Sequence, residues 1–209
     1  MRPYDRDPAA ILAASLALVR AEANLARFPP DIAEIAVRVI QACGMVEVAD
    51  RLAFSPDVSA RAVDALRTGA PVYADSPTVA SGIARNLLPE GARVLCVAAD
   101  PSVAARAAKA AITPSAAAVD LWDTGGAICA IGEDPTALFR LMERIDEGAP
   151  PPAAILAFPV GFVGAAEAKA ELAERPRAPF LALRGRKGGS AMASAAVNAL
   201  ALLAAGGMQ

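Results

Sequence analysis

Ala153-Ala154-Ile155-Leu156-Ala157-Phe158-Pro159-Val160-Gly161-Phe162-Val163-Gly164-Ala165-Ala166-Glu167-Ala168-Lys169 contains the repeating unit from which the fold is read. Its first five residues form an unbroken apolar run, too short for a helix and not alternating, as expected of a strand covered on both faces. A turn rich in glycine and proline follows, and Ala165 to Glu174 then reads as a helix. The same sequence of run, turn and helix occurs at Val72–Ala74, Val94–Val97, Ala127–Ile131 and Phe180–Leu183, so five units are expected in all. The other candidate helices cover about Ser76–Asn86, Ser102–Ala111 with another after Thr113-Pro114, Pro135–Glu147 and Ser190–Leu203. Alternating strand and helix implies a doubly wound α/β protein, with ligands bound at the carboxyl ends of the strands.

Upstream of the first unit the chain reads as helical. Asp7-Pro8 opens a helix to about Arg27, and Phe28-Pro29-Pro30-Asp31 starts a second that ends at Cys43. Phe54-Ser55-Pro56-Asp57 leads into a third, to about Thr68. In the second helix Ile32, Ile35, Ala36, Val39 and Cys43 form a core stripe. Gln41 lies opposite it with Glu34 and Arg38, the ordinary position of a solvated side chain. No linker-like shift in composition divides the 209 residues, so a single domain, 1–209, is expected.

Composition removes several functions. Twenty Lys and Arg against 22 Asp and Glu give a net charge of −2, and only 4% of residues are aromatic, so neither the basic footprint nor the stacking platforms of a nucleic-acid binder are present. The apolar run Ile11–Val19 is too short to span a bilayer and runs directly into Arg20 and Glu22. Three cysteines, Cys43, Cys96 and Cys129, all within apolar runs, suit a reduced, cytoplasmic setting. With no histidine in the chain, a His-ligated metal and any Ser/His or Cys/His nucleophile are excluded. Acid–base work, if needed, falls to Asp, Glu, Lys, Tyr or Cys.

Two of the strand-end turns are unusual. Pro159-Val160-Gly161-Phe162-Val163-Gly164 surrounds an aromatic ring with glycines where a polar cap is the norm. It reads either as a backbone wall against a large flat ligand or as a loop packed under a neighbour. Arg184-Gly185-Arg186-Lys187-Gly188-Gly189-Ser190 puts three positive charges and free backbone N–H groups at a helix start, an arrangement that attracts anions. Asp75, Asp100 and Glu133 at the other turns could suggest phosphoryl or nucleotide chemistry, but they have plain explanations as caps. Neither a Walker loop nor a GxGxxG turn is present. A ligand with carboxylates on an apolar body fits better.

Ala153–Lys169, with Arg184–Ala195 (RGRKGGSAMASA), Gly132–Leu138 (GEDPTAL), Phe54–Asp57 and the Tyr4–Glu22 region, resembles the precorrin-8X methylmutases of cobalamin biosynthesis essentially end to end. The resemblance implies a flavodoxin-like three-layer α/β/α fold with a five-stranded parallel sheet, and a homodimer with each active site near the subunit interface. It further implies migration of a methyl group from C11 to C12 of precorrin-8X, giving hydrogenobyrinic acid, with no cofactor. Ser15 and Arg20 fall where the family places substrate contacts, and Arg85 is a further candidate. Val160, Gly161, Phe162 and Val163, with Lys169 behind them, would line the macrocycle. Arg184, Arg186 and Lys187, with the amides around Gly188, Gly189 and Ser190, would hold its carboxylates. One position departs from the family pattern. The family's xHACGxVE motif carries an acid/base histidine, and here the frame reads Ile40-Gln41-Ala42-Cys43-Gly44-Met45-Val46-Glu47, placing Gln41 at the catalytic position. An amide hydrogen-bonds but does not titrate near neutrality, so the resemblance implies intact binding and slow turnover, or retention of the tetrapyrrole without turnover.

Overall fold

The structure, a computed structural model, describes residues 4–207; the first three and last two residues of the expected 1–209 domain lie outside them. The order of elements is α1 (Pro8–Glu22), α2 (Pro30–Cys43), β1 (Leu52–Phe54), α3 (Val58–Arg67), β2 (Val72–Ala74), α4 (Pro77–Gly82), β3 (Val94–Leu95) and α5 (Pro101–Ala110). It continues with α6 (Pro114–Val119), β4 (Ile128–Ile131), α7 (Pro135–Asp146), β5 (Ala154–Ala157), α8 (Ala165–Glu174), β6 (Phe180–Leu183) and α9 (Ser190–Ala204).

The sheet has six strands in the order β1-β6-β5-β4-β2-β3. The expected five-stranded, wholly parallel sheet is therefore corrected. Strands β2 to β6 are mutually parallel, but β1 runs antiparallel to β6, with Leu52 opposite Leu183 and Phe54 opposite Leu181. Three residues ending before Ser55-Pro56 carry too little pattern to announce a strand. Their place is explained by the edge they cover, since an open β6 would present unpaired N–H and C=O groups to solvent.

Unbroken apolar runs follow from burial on both faces. Val72, Ile128, Leu156 and Leu181 point into a core closed by α2, α3, α4 and α9. Their neighbours Tyr73, Cys129, Ile155 and Phe180 point the other way, against α7, α8 and the end of α6. Helix α1 stands outside these layers against α2, with Leu16 its only buried residue among those described. Among the described residues, no helix is long and apolar enough to cross a membrane.

Most of the Asp-Pro, Ser-Pro and Thr-Pro pairs cap helices; at Ser55-Pro56 the serine hydroxyl instead accepts the Phe180 N–H. Asp7, Ser76, Asp100, Thr113 and Asp134 each accept a backbone N–H from the first turn that follows. Two helices are shorter than expected. Helix α1 stops at Glu22, and α4 stops at Gly82 because Asn198 of α9 captures the next backbone groups. Its Oδ1 accepts the Ala84 N–H at 2.9 Å and its Nδ2 donates to the Gly82 carbonyl at 3.0 Å.

Asp75 is not a cap. It is buried at the end of β2, where it accepts N–H groups from Gly132, Glu133 and Asp134 at 3.1, 2.8 and 3.2 Å and ties β2 to the turn after β4. Burial pushes its carboxyl above the usual carboxylate range, against the pull of those three donors. Asp75→Asn keeps the shape but turns an NH₂ toward backbone donors. It should lower the unfolding free energy by about 1–3 kcal/mol, read as a reduced denaturant midpoint with unchanged slope.

Candidate functional site

Helix α2 ends at Gly44, whose φ of 69° closes it in the left-handed region. A 3₁₀ turn, Val46–Arg51, then enters β1. Because β1 is antiparallel to β6, its first residue sits beside the last residue of β6. Whatever precedes β1 is therefore carried to the carboxyl end of the sheet. There the Arg184 N–H donates to the Arg51 carbonyl at 2.9 Å, and the Lys187 ammonium pairs with Glu47 at 2.5 Å. That pairing holds the Glu47 carboxyl below its ordinary range.

Gln41 is solvent-exposed in the last turn of α2, as its place opposite the core stripe predicts. It lines a groove of about 460 Å³ with Thr78 and Ser81 of α4 and Ala191, Ala195 and Asn198 of α9. The walls are close because a Cβ on Gly82 would collide with the Ser194 hydroxyl. Most of the polar lining is already bonded: Ser81 to the Thr78 carbonyl, Ser194 to the Ser190 and Ala191 carbonyls, Asn198 as described above. The Gln41 amide makes no hydrogen bond among the described residues. Sequence reasoning missed Thr78, Ser81 and Asn198. The spacing 191, 194, 195 and 198 marks one face of α9, but nothing local says that this face is a groove wall.

The fourth and fifth strand-end turns are joined. The Gly161 N–H donates to the Arg186 carbonyl at 3.1 Å, and the Gly189 N–H to the Phe158 carbonyl at 2.7 Å. Gly188 lies so close beneath the fourth turn that a Cβ there would strike the carbonyl oxygens of Phe158 and Pro159. Phe162 and Val163 are 83% and 86% exposed, so this loop is not packed under a neighbour within the chain. Val160 is exposed as well, and the Arg186 guanidinium lies 5.3 Å from the centre of the Phe162 ring. Ser190 begins α9 with Gly189 as its cap, so no cap side chain bonds the first-turn N–H groups.

Lys169 requires a correction. Expected behind the wall as a contact for the macrocycle, it is 0% exposed. Its ammonium donates to the carbonyls of Pro159 at 2.7 Å and Lys187 at 2.6 Å. The Pro159 bond is buried and the Lys187 bond partly so, and burial of the ammonium pushes its pKa down to about 8.

Other expected residues are distributed more widely. Arg20 is held on both oxygens of Glu34, at 3.0 and 2.8 Å, and Glu34 lies seven residues, about 10 Å, before Gln41 on α2. Ser15 is half-buried on α1, and neither it nor Arg20 lines the Gln41 groove. Arg85 is exposed in a short 3₁₀ turn next to Ala84, whose N–H Asn198 holds. Arg184 faces a separate groove of about 400 Å³ with Arg27, Asp50 and Phe54. Burial raises the pKa of the Cys43 and Cys129 thiols, which opposes any role as nucleophile. Among the described residues no three Cys, Asp or Glu side chains gather as a metal site.

These features define a class, a three-layer α/β protein with a groove between α2, α4 and α9 and a basic turn leading into α9. The family can also be given. A model of the precorrin-8X methylmutase family matches residues 10–203, and the chain belongs to that family. It is 52% identical to the precorrin-8X methylmutase of Pseudomonas aeruginosa, over 96% of this chain and 98% of that one. It is 32% identical to the cobalt-precorrin-8 methylmutase of Priestia megaterium, over 99% and 93% of the two chains. A crystal structure of the precorrin-8X methyl mutase from Thermus thermophilus superposes with a TM-score of 0.85 at 36% identity, covering 94% of this chain and 98% of that one.

A lysine whose folded pKa is depressed binds fewer protons than the unfolded chain does between its two pKa values. Stability should therefore rise as pH increases from about 8 toward about 10.4, the window between folded and unfolded Lys169. Urea midpoints across that range for the parent and for Lys169→Met should differ in slope, the variant lacking this increment.

Proposed function

We propose that this chain is a precorrin-8X methylmutase, an isomerase that moves the methyl group on C11 of precorrin-8X to C12 and gives hydrogenobyrinic acid. The observation that carries this reading is the 52% identity spanning 96% of the chain and 98% of a precorrin-8X methylmutase. The geometry supports it. A broad apolar ring with a carboxylate fringe suits a groove lined by Ala191 and Ala195 together with the exposed Phe162 and Val163 and the basic turn that leads into α9. Arg85, Arg184 and Lys187 supply further positive charge around that end, Lys187 after exchanging Glu47 for a ligand carboxylate. Ser15 and Arg20 join the site only if α1 shifts, or if a second subunit brings them there.

The rearrangement is internal to the substrate: the bond to C12 forms as the bond to C11 breaks, and the ring redistributes the electron pair. The protein's task is to hold the ring and favour the electronic form that lets the methyl group move. Gln41, with its unspent amide, donates an N–H to a ring nitrogen or accepts one, without transferring a proton. General acid assistance contributes about 10²–10⁴ in rate, roughly 3–5 kcal/mol, and this chain forgoes it. The same observation favours a second reading, a protein that binds hydrogenobyrinic acid and does not turn precorrin-8X over efficiently. Precorrin-8X mixed with the purified protein should give the product spectrum slowly, and Gln41→His should raise kcat by about 10²–10⁴ with little change in KM. No product from either protein would end the catalytic reading. Tight binding of hydrogenobyrinic acid without turnover would select the second.

We further propose a single cytoplasmic domain. The order β3-β2-β4-β5-β6 supports a flavodoxin-like arrangement of the parallel strands, with β1 added at one edge. We also propose that it works as a homodimer, because α1 exposes Ile11, Leu12 and Leu18 on a helix with a single buried residue among those described. Sedimentation should give a dimer for the parent and a folded monomer for Leu18→Glu.

A further inference from the structure

The buried ammonium of Lys169 lies at the point where the fourth and fifth turns meet. Among the described residues no carboxylate bonds to it, and the side chain reaches neither the groove nor solvent. A lysine in that position is costly unless its contacts are worth more than its desolvation. Its contacts are specific: one carbonyl from each turn, Pro159 and Lys187, both under 2.8 Å. Around it the Gly161 and Gly189 amides cross between the same two turns, and Gly188 brings the two backbones together. Lys187 is held at both ends, its carbonyl by Lys169 and its side chain by Glu47, three residues after Gly44 closes the helix that carries Gln41. A continuous chain of contacts therefore runs from α8 through the fifth turn to the end of α2.

From this geometry we infer that Lys169 is a positioning residue: it locks the Pro159–Gly164 and Arg184–Gly189 turns into one rigid rim and sets that rim against the segment carrying Gln41. The residue touches no ligand. Its role is to fix how far the aromatic wall stands from the basic turn, and so the width of ring that both can grip at once. This rests on the methylmutase reading for its substrate but not for its geometry, and the test separates the two.

Lys169→Met keeps the length of the side chain and removes its donors. Hydrogen exchange read at the Gly161 and Gly189 amides should accelerate about tenfold or more in the variant, while amides of β4 and β5 keep their parent rates. With precorrin-8X, KM should rise about tenfold and kcat change by less than about threefold, the signature of lost grip on the periphery. Lys169→Ala, which leaves space for the missing atoms, should regain the lower KM when n-propylamine is added. The proposal is overturned if the two bridging amides exchange at parent rates in Lys169→Met. It is equally overturned if KM stays unchanged while the melting temperature falls, which would mark a merely structural lysine. If the parent neither binds nor converts precorrin-8X, the methylmutase reading falls instead, and accelerated exchange at the two amides would still support the joint.

Discussion

The antiparallel pairing of Leu52–Phe54 with β6 is the constraint on which the arrangement of the site depends. It is a small interaction, three residues on an edge strand. Yet it reverses the chain's direction relative to the other strands and so brings the segment before it to the carboxyl end of the sheet. Together with the packing of α2 on α9, it fixes where the segment after α2 meets the turn after β6. With it, the Arg184 N–H meets the Arg51 carbonyl, Glu47 meets Lys187, and Gln41 faces the start of α9. A doubly wound sheet places ligands at its carboxyl ends as a general matter. In this protein the added strand brings a helix from outside the repeating units to that same end.

Close backbone approach is the second organising theme. Gly82 against Ser194, Gly132 against Ser190 and Val79, and Gly188 against the fourth turn leave no space for a Cβ. Helix α9, largely alanine along its buried face, lets α2 and α4 come close enough to form a narrow groove. The polar atoms of that groove are mostly engaged with their own helices. What remains free is concentrated at Gln41 and at the exposed rim.

The repeating units were legible because strands buried on both faces are written as apolar runs, and the X-Pro caps were legible because that local chemistry has few alternatives. Strand β1 was not, since its stability comes from the edge it covers and not from its own three residues. Lys169 shows the opposite error. A lysine on an alanine-rich helix beside a binding loop reads as a ligand contact, and only the carbonyls of two distant turns, arriving together, reveal that it faces inward. Asn198 carries no local signal of its role, because its partners, Gly82 and Ala84, lie 116 and 114 residues before it. Gln41 came to attention through a motif; its position opposite the core stripe is also what allows it to line a groove.

The exposed cations at this end of the molecule, Arg85, Arg184, Arg186 and Lys187, stand in a chain without an imidazole. Histidine is the only side chain whose unperturbed charge changes between pH 5 and 8. The rim therefore carries no group of that kind. Its positive charges reach outward through ordinary electrostatics, which salt screens beyond about 8–10 Å at physiological ionic strength. An anion's approach to this end of the molecule answers to ionic strength.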